Sequence, residues 1–146
     1  MMDLKQALRN AIEIERSAER FYGMLAARAT DQKGRAFLER MAREEELHAR
    51  ALEERSKELV DGALPAVADR FVHQVELVPD WSNTEAISFE QALSVALEAE
   101  QHAELYYDAM ADSVPAGSTA DFLRAMARNE AAHVQSVASL IAALRG

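Results

Sequence analysis

The chain has 146 residues, 49% of them apolar and 28% charged, with a formal net charge of −9. This balance suits one helix-rich domain with its own core and excludes nucleic acid as a partner, because an acidic surface repels phosphates. The absence of cysteine removes disulfides, iron–sulfur clusters and thiolate zinc sites.

Four segments carry apolar residues at helical spacing. The first runs from about Asp3 to Ala29, with Leu4, Leu8, Ala11, Ala18, Tyr22 and Leu25 on one stripe. The second runs from about Gln32 to Val60, with Phe37, Met41, Leu52 and Leu59 inward, Thr30 or Asp31 as its cap and Asp61-Gly62 as its stop. The third covers about Ser88 to Ala111. The fourth covers about Ser118 to Leu144, with Ser118 or Thr119 as its cap. Short turns at 30–32 and 112–118 predict two antiparallel helical hairpins, hairpin 1 over about 3–60 and hairpin 2 over about 88–144. The stretch 61–87, with Pro65, Pro79 and Trp81, reads as an extended strap. At ~3.3 Å per residue it could run the length of the bundle. So long a connector fits an all-α four-helix bundle with one crossover, folded as a single domain over 1–146.

The hairpins repeat each other at an offset of 85 positions. FLERMAREEELH (37–48) lies over FLRAMARNEAAH (122–133), and Glu15, Ala18, Phe21 and Tyr22 fall on Glu100, Ala103, Tyr106 and Tyr107. Glu45 falls on Glu130 and His48 on His133. Two such halves are expected to be related by a pseudo-twofold axis, on which any site receives the same groups from each half.

Residues equally far from a hairpin turn sit at the same height. Glu15 and Glu45 flank position 30 symmetrically, and Glu100 and Glu130 flank Pro115. Each glutamate is ~15 residues, or ~22 Å, from its turn, near mid-bundle. His48 and His133 follow their glutamates by three residues and share their faces. The spacing therefore places four carboxylates and two imidazoles in one layer on the apolar stripe. Buried acids without counter-charge must protonate or bind cations, and two divalent ions balance four carboxylates. One Glu from each of two helices with Glu-x-x-His from the other two is the di-iron pattern of ferritin-like bundles. Two iron ions per chain are the expected cofactor, with manganese or zinc as substitutes. Glu15 with Glu100, or Glu45 with Glu130, could form the bridging pair.

Other acids compete for these places. Glu44 reaches the His48 face at i+4, but the second copy reads Arg128-Asn129-Glu130 and keeps only the Glu45 equivalent. The run Arg43 to Glu46 otherwise reads as a solvated face. Glu13/Glu98 and Glu19/Glu104 also recur, but height relative to the turn and phase with Tyr22 and Tyr107 favour Glu15 and Glu100, with Glu19 and Glu104 ranked below them as extra ligands or supporting groups. His73 and His102 have no repeat partner and read as strap or surface residues. The methionines at 24, 41, 110 and 126 read as core filler.

The runs IEIERSAERFYGMLA, MAREEELHARAL, ALEAEQHAELYYDAMA and MARNEAAHVQSV resemble the ferritin-like domain of rubrerythrins across both hairpins. The resemblance implies Glu15, Glu45, His48, Glu100, Glu130 and His133 as metal ligands, with Tyr22 and Tyr107 as supporting tyrosines beside the carboxylates. Full-length rubrerythrins add a cysteine-ligated rubredoxin module; with no cysteine here, electrons are expected from an external donor protein. Rubrerythrins also carry another glutamate where this chain has Ala103, which makes the site look symmetric and closer to a bacterioferritin ferroxidase centre. A chain ending at Gly146 is expected not to close a mineral-storing cage.

The leading expectation is a non-haem di-iron oxidoreductase that oxidises Fe(II) with peroxide or O2, in peroxide detoxification or as a ferroxidase. The alternative is a non-catalytic iron-binding or metal-stabilised interaction module. A homodimer is expected from the resemblance. No apolar run reaches membrane-span length and MMDLKQALRN lacks a secretory apolar stretch, so a cytoplasmic location without membrane contact is expected.

Overall fold

The computed structural model describes residues 4–66 and 88–146. Among the described residues four helices form: α1 (Leu4–Arg28), α2 (Gln32–Leu59), α3 (Phe89–Asp112) and α4 (Ser118–Arg145). These bounds lie within a residue or two of the periodicity. The strap residues Pro79, Trp81 and His73 lie outside the described residues.

Local chemistry sets the helix ends. Asp31 caps α2 by accepting from the Gly34 N–H at 2.9 Å. A Cβ at Gly34 would sit 2.5 Å from that carboxylate oxygen, so a larger residue there would make the Asp31 side chain shift. Ser88 opens α3 with a reciprocal capping box, its hydroxyl accepting from the Gln91 N–H while its own N–H donates to the Gln91 side chain. The fourth helix departs from expectation: neither Ser118 nor Thr119 caps it. Gly117 occupies the N-cap with φ of 149°, a conformation that favours glycine, and Ser118 is already helical.

The tight packing lies within the hairpins, α1 on α2 and α3 on α4, while α1 faces α3 and α2 faces α4 across the bundle. Two apolar clusters form, each drawing on all four helices. One contains Tyr22, Leu38, Met41, Leu93 and Val137. The other contains Leu8, Leu52, Tyr107, Leu123 and Met126. An offset of 85 exchanges most of their members: Leu8 with Leu93, Tyr22 with Tyr107, Leu38 with Leu123, Met41 with Met126, Leu52 with Val137. The pseudo-twofold axis therefore crosses the bundle between the clusters, and the acidic layer lies where it crosses. Of the methionines expected to fill the core, Met41, Met110 and Met126 are buried, but Met24 on α1 is only half-buried.

Candidate metal centre

Each functional side chain occupies the buried stripe of its helix. Glu15 lies between Leu8 and Tyr22 on α1, and Glu45 between Met41 and Leu52 on α2. Glu100 lies between Leu93 and Tyr107 on α3, and Glu130 between Leu123 and Val137 on α4. All four glutamates and His133 are buried; His48 keeps 18% of its side chain exposed.

The layer is assembled crosswise. His48 Nδ1 lies 3.7 Å from Glu15 Oε2 and 3.9 Å from Glu130 Oε1. Its repeat partner His133 places Nδ1 3.5 Å from Glu100 Oε2 and 2.6 Å from Glu45 Oε1. The imidazoles stack at 5.4 Å between centroids. Three overlapping groups with atoms within 4.8 Å of one another result: a smaller one of Glu45, His48 and His133, and two of four residues, Glu15, Glu45, His48 and Glu130, and Glu45, Glu100, Glu130 and His133. Glu45 belongs to all three, and Glu130 to both four-residue groups.

The outer atoms of these residues are engaged and the inner ones are not. Tyr22 donates to Glu100 Oε1 at 2.7 Å, and Tyr107 to Glu15 Oε1 at 2.9 Å, so each tyrosine holds a carboxylate of the opposite hairpin. Each tyrosine is also met edge-on by its aromatic neighbour, Phe21 at 6.3 Å and Tyr106 at 6.2 Å. Glu44 Oε2 lies 3.0 Å from His133 Nε2, on the ring edge away from the layer. Inside, Glu15 Oε2, Glu45 Oε1, Glu100 Oε2, Glu130 Oε1, His48 Nδ1 and His133 Nδ1 are buried without a hydrogen bond. His133 Nδ1 and Glu45 Oε1 face each other at 2.6 Å as an acid–imidazole pair. Buried polar atoms short of hydrogen bonds are costly, and six of them crowded into one layer fit a cation site. Carboxylate oxygens and imidazole nitrogens are donors suited to iron, manganese or zinc.

Electrostatics carry the same strain. Burial pushes the Glu45 and Glu130 carboxyls well above their usual range, and the neighbouring Glu15 and Glu100 charges push them further. Burial also raises Glu15, but close contacts with Glu45, His48 and Glu130 outweigh it and bring its pKa down to about 2. Burial lowers His133, yet Glu100, Glu44 and Glu15 hold it above its ordinary value. Tyr22 and Tyr107 stay protonated donors, pushed up by burial and the adjacent carboxylates.

All six expected ligand residues therefore meet in one layer. The competing acids do not join it. Glu13 pairs with Arg20 at 3.1 Å and Glu19 with Arg16 at 3.2 Å; Glu98 is exposed and Glu104 half-buried. Sequence reasoning missed the role of Glu44, which leaves the solvated face of α2 and reaches the histidine of the other hairpin rather than His48. The signal available was a carboxylate one residue before a ligand glutamate. His102 is half-buried rather than on the surface, and its Nδ1 makes no hydrogen bond. No helix among the described residues is long and apolar enough to cross a membrane.

A family model described as rubrerythrin matches residues 6–89 and 91–146. No curated protein matches the chain. Among solved structures, a hypothetical protein from Pyrococcus furiosus is similar, with a TM-score of 0.77 at 19% identity, covering 96% of this chain and 89% of that one. At that identity the likeness speaks for the four-helix fold alone.

Proposed function

The chain belongs to the rubrerythrin family, and from that premise we propose that its acidic layer holds two iron ions and oxidises Fe(II) with peroxide or dioxygen. The observation that carries this reading is the gathering of six buried donor atoms without hydrogen bonds in one layer, in overlapping groups of which the two largest share Glu45 and Glu130. In this reading Glu45 and Glu130, which both four-residue groups share, would help hold both ions, with Glu15 and His48 completing one set of donors and Glu100 and His133 the other. Manganese or zinc could occupy the same donors. Iron bound there would supply two adjacent one-electron donors, matching the two electrons that turn peroxide and two protons into two waters, or dioxygen and two protons into peroxide.

The chain's own residues supply the frame. Tyr22 and Tyr107 each hold one oxygen of Glu100 or Glu15 and so leave Oε2 aimed inward. Glu44 fixes the ring of His133 by engaging Nε2. The apolar clusters above and below exclude water from the layer. Electrons for repeated turnover would come from an external donor protein, and assembly as a homodimer belongs to the same proposal.

The test is anaerobic loading with Fe(II) followed by rapid mixing with peroxide or O2 while diferric absorbance is followed. Two ions per chain and oxidation by either reagent support the reading. Two ions and no oxidation support a non-catalytic iron-binding module instead. Failure to bind iron overturns it.

A further inference from the structure

Beside the acidic layer, a cavity of about 30 Å³ occupies the seam between α1 and α3. Ala18 and Phe21 of α1 and Ala96, Ala99 and Ala103 of α3 line it, and Glu100 and Glu130 stand at its inner end. Ala18 and Ala99 are half-buried whereas Ala96 and Ala103 are buried, so the seam leads from the surface to the carboxylates. Ser17, also on the wall, has its hydroxyl committed to Glu13 and Arg20.

The cavity departs from the pseudo-symmetry for a reason legible in the residues. At an offset of 85, Ala99 corresponds to Ile14 and Ser17 to His102. On one side of the axis Ile14, itself on the cavity wall, packs against Ala103 and Tyr106 and takes up that part of the seam. On the other side the matching position is Ala99, three carbons smaller, facing Ala18 and Phe21.

Size and polarity limit the occupant. A volume of 30 Å³ admits roughly two heavy atoms, since one water needs about 10–15 Å³. Hydrogen-bonding groups wait only at the inner end, at Glu45, Glu100 and Glu130. Along the approach past Ala18, Phe21, Ala96 and Ala99 the walls offer none, so a hydrated cation or peroxide passing there would give up its own, at roughly 2–7 kcal/mol per unpaired polar group. An apolar diatomic loses nothing. We infer that this seam binds dioxygen and admits it to the acidic layer from the α1–α3 side. The role of that dioxygen as an oxidant rests on the proposed function; its binding in the seam needs no metal.

The experiment uses metal-free protein with isotope-labelled alanine methyls under dissolved O2, whose paramagnetism speeds the relaxation of nearby methyl groups. The methyls of Ala96 and Ala103 are expected to show several-fold greater enhancement than those of the exposed Ala51 and Ala109. Ala99→Ile, which copies the filled side of the axis, should bring Ala96 and Ala103 down to the level expected of buried methyls elsewhere. Ala18→Val, acting from the opposite wall, should do the same if Ala99→Ile disturbs folding. In iron-loaded protein, either variant should slow oxidation by O2 and leave both iron stoichiometry and oxidation by peroxide unchanged. Wild-type Ala96 and Ala103 methyls no more enhanced than those of exposed alanines, an undiminished enhancement in both variants, or equal slowing with both oxidants overturns the proposal. Failure of the protein to load iron would overturn the proposed function and leave the methyl measurement readable.

Discussion

Tyr22 on α1 donates its hydroxyl to Glu100 on α3 at 2.7 Å, linking two residues 78 positions apart in the chain. The bond lies in a fully buried setting and its acceptor is a carboxylate, so it belongs to the stronger class of hydrogen bonds. Tyr22→Phe should lower stability by about 1.5–3 kcal/mol in urea unfolding, because Glu100 Oε1 loses its partner without gaining water. Tyr107→Phe, its repeat counterpart, should cost a similar amount through Glu15. A change below about 0.5 kcal/mol in both would show that these bonds do not hold the hairpins together.

Glu45 belongs to both four-residue groups, so Glu45→Ala should disable both. Anaerobic titration with Fe(II) should then give fewer than two tightly bound ions per chain. Glu13→Ala, at an outward-facing salt bridge on α1, should load as the parent does. Two tight ions in Glu45→Ala would remove the assignment of Glu45 as a ligand.

Glu44 acts through His133. Glu44→Gln keeps the shape but removes the negative charge beside Nε2, and metal affinity should fall roughly 10–100-fold in competition with a chelator. Asn129, the repeat counterpart of Glu44, is exposed, and Asn129→Ala should leave affinity unchanged. Equal effects from the two substitutions would deny Glu44 its positioning role.

Metal-free protein should lose stability as pH rises from about 5 towards 8. Glu45 and Glu130 have folded pKa values well above their ordinary 4.5, so the folded state holds protons that the unfolded chain releases over this range. Each proton held in excess tilts stability downward by up to about 1.4 kcal/mol per pH unit. His133, raised above its ordinary 6.5, adds stability at low pH that is lost as pH climbs through its folded value. Glu15, lowered to about 2, gives stability already complete above 4.5 and so contributes no slope here. Denaturant midpoints measured after chelation should follow this trend. Restoring Fe(II) anaerobically should flatten or reverse it, since metal binding draws on the deprotonated carboxylates. Metal-free stability that rises towards pH 8 would contradict it.

Much of this centre is legible in the sequence because helical hairpins convert spacing into height. Glu15 and Glu45 must share a level if the turn is at position 30, and the repeat carries the same logic to Glu100 and Glu130. What spacing cannot express is contact across the bundle. Glu44 shares a helix face with His48 at i+4, yet its carboxylate ends beside His133, because packing of α2 on α4 brings the second hairpin within reach. Which glutamates the candidate groups share was equally hidden. Four glutamates at one height are equivalent in the sequence, and only the side-chain directions separate the shared Glu45 and Glu130 from the outer Glu15 and Glu100. Gly117 was overlooked as a helix start because Ser118 matches the usual capping chemistry, whereas the turn demanded a positive φ.

The pairing of Glu44 with His133, answered on the other hairpin by the neutral Asn129, makes the two halves of the centre distinguishable. An imidazole backed by a carboxylate is a stronger electron donor than one without such a partner. Any pair of ions seated here would therefore differ in affinity and in reduction potential, filling in sequence rather than together. Spectra sensitive to each ion should resolve two populations, with the position beside His133 occupied first.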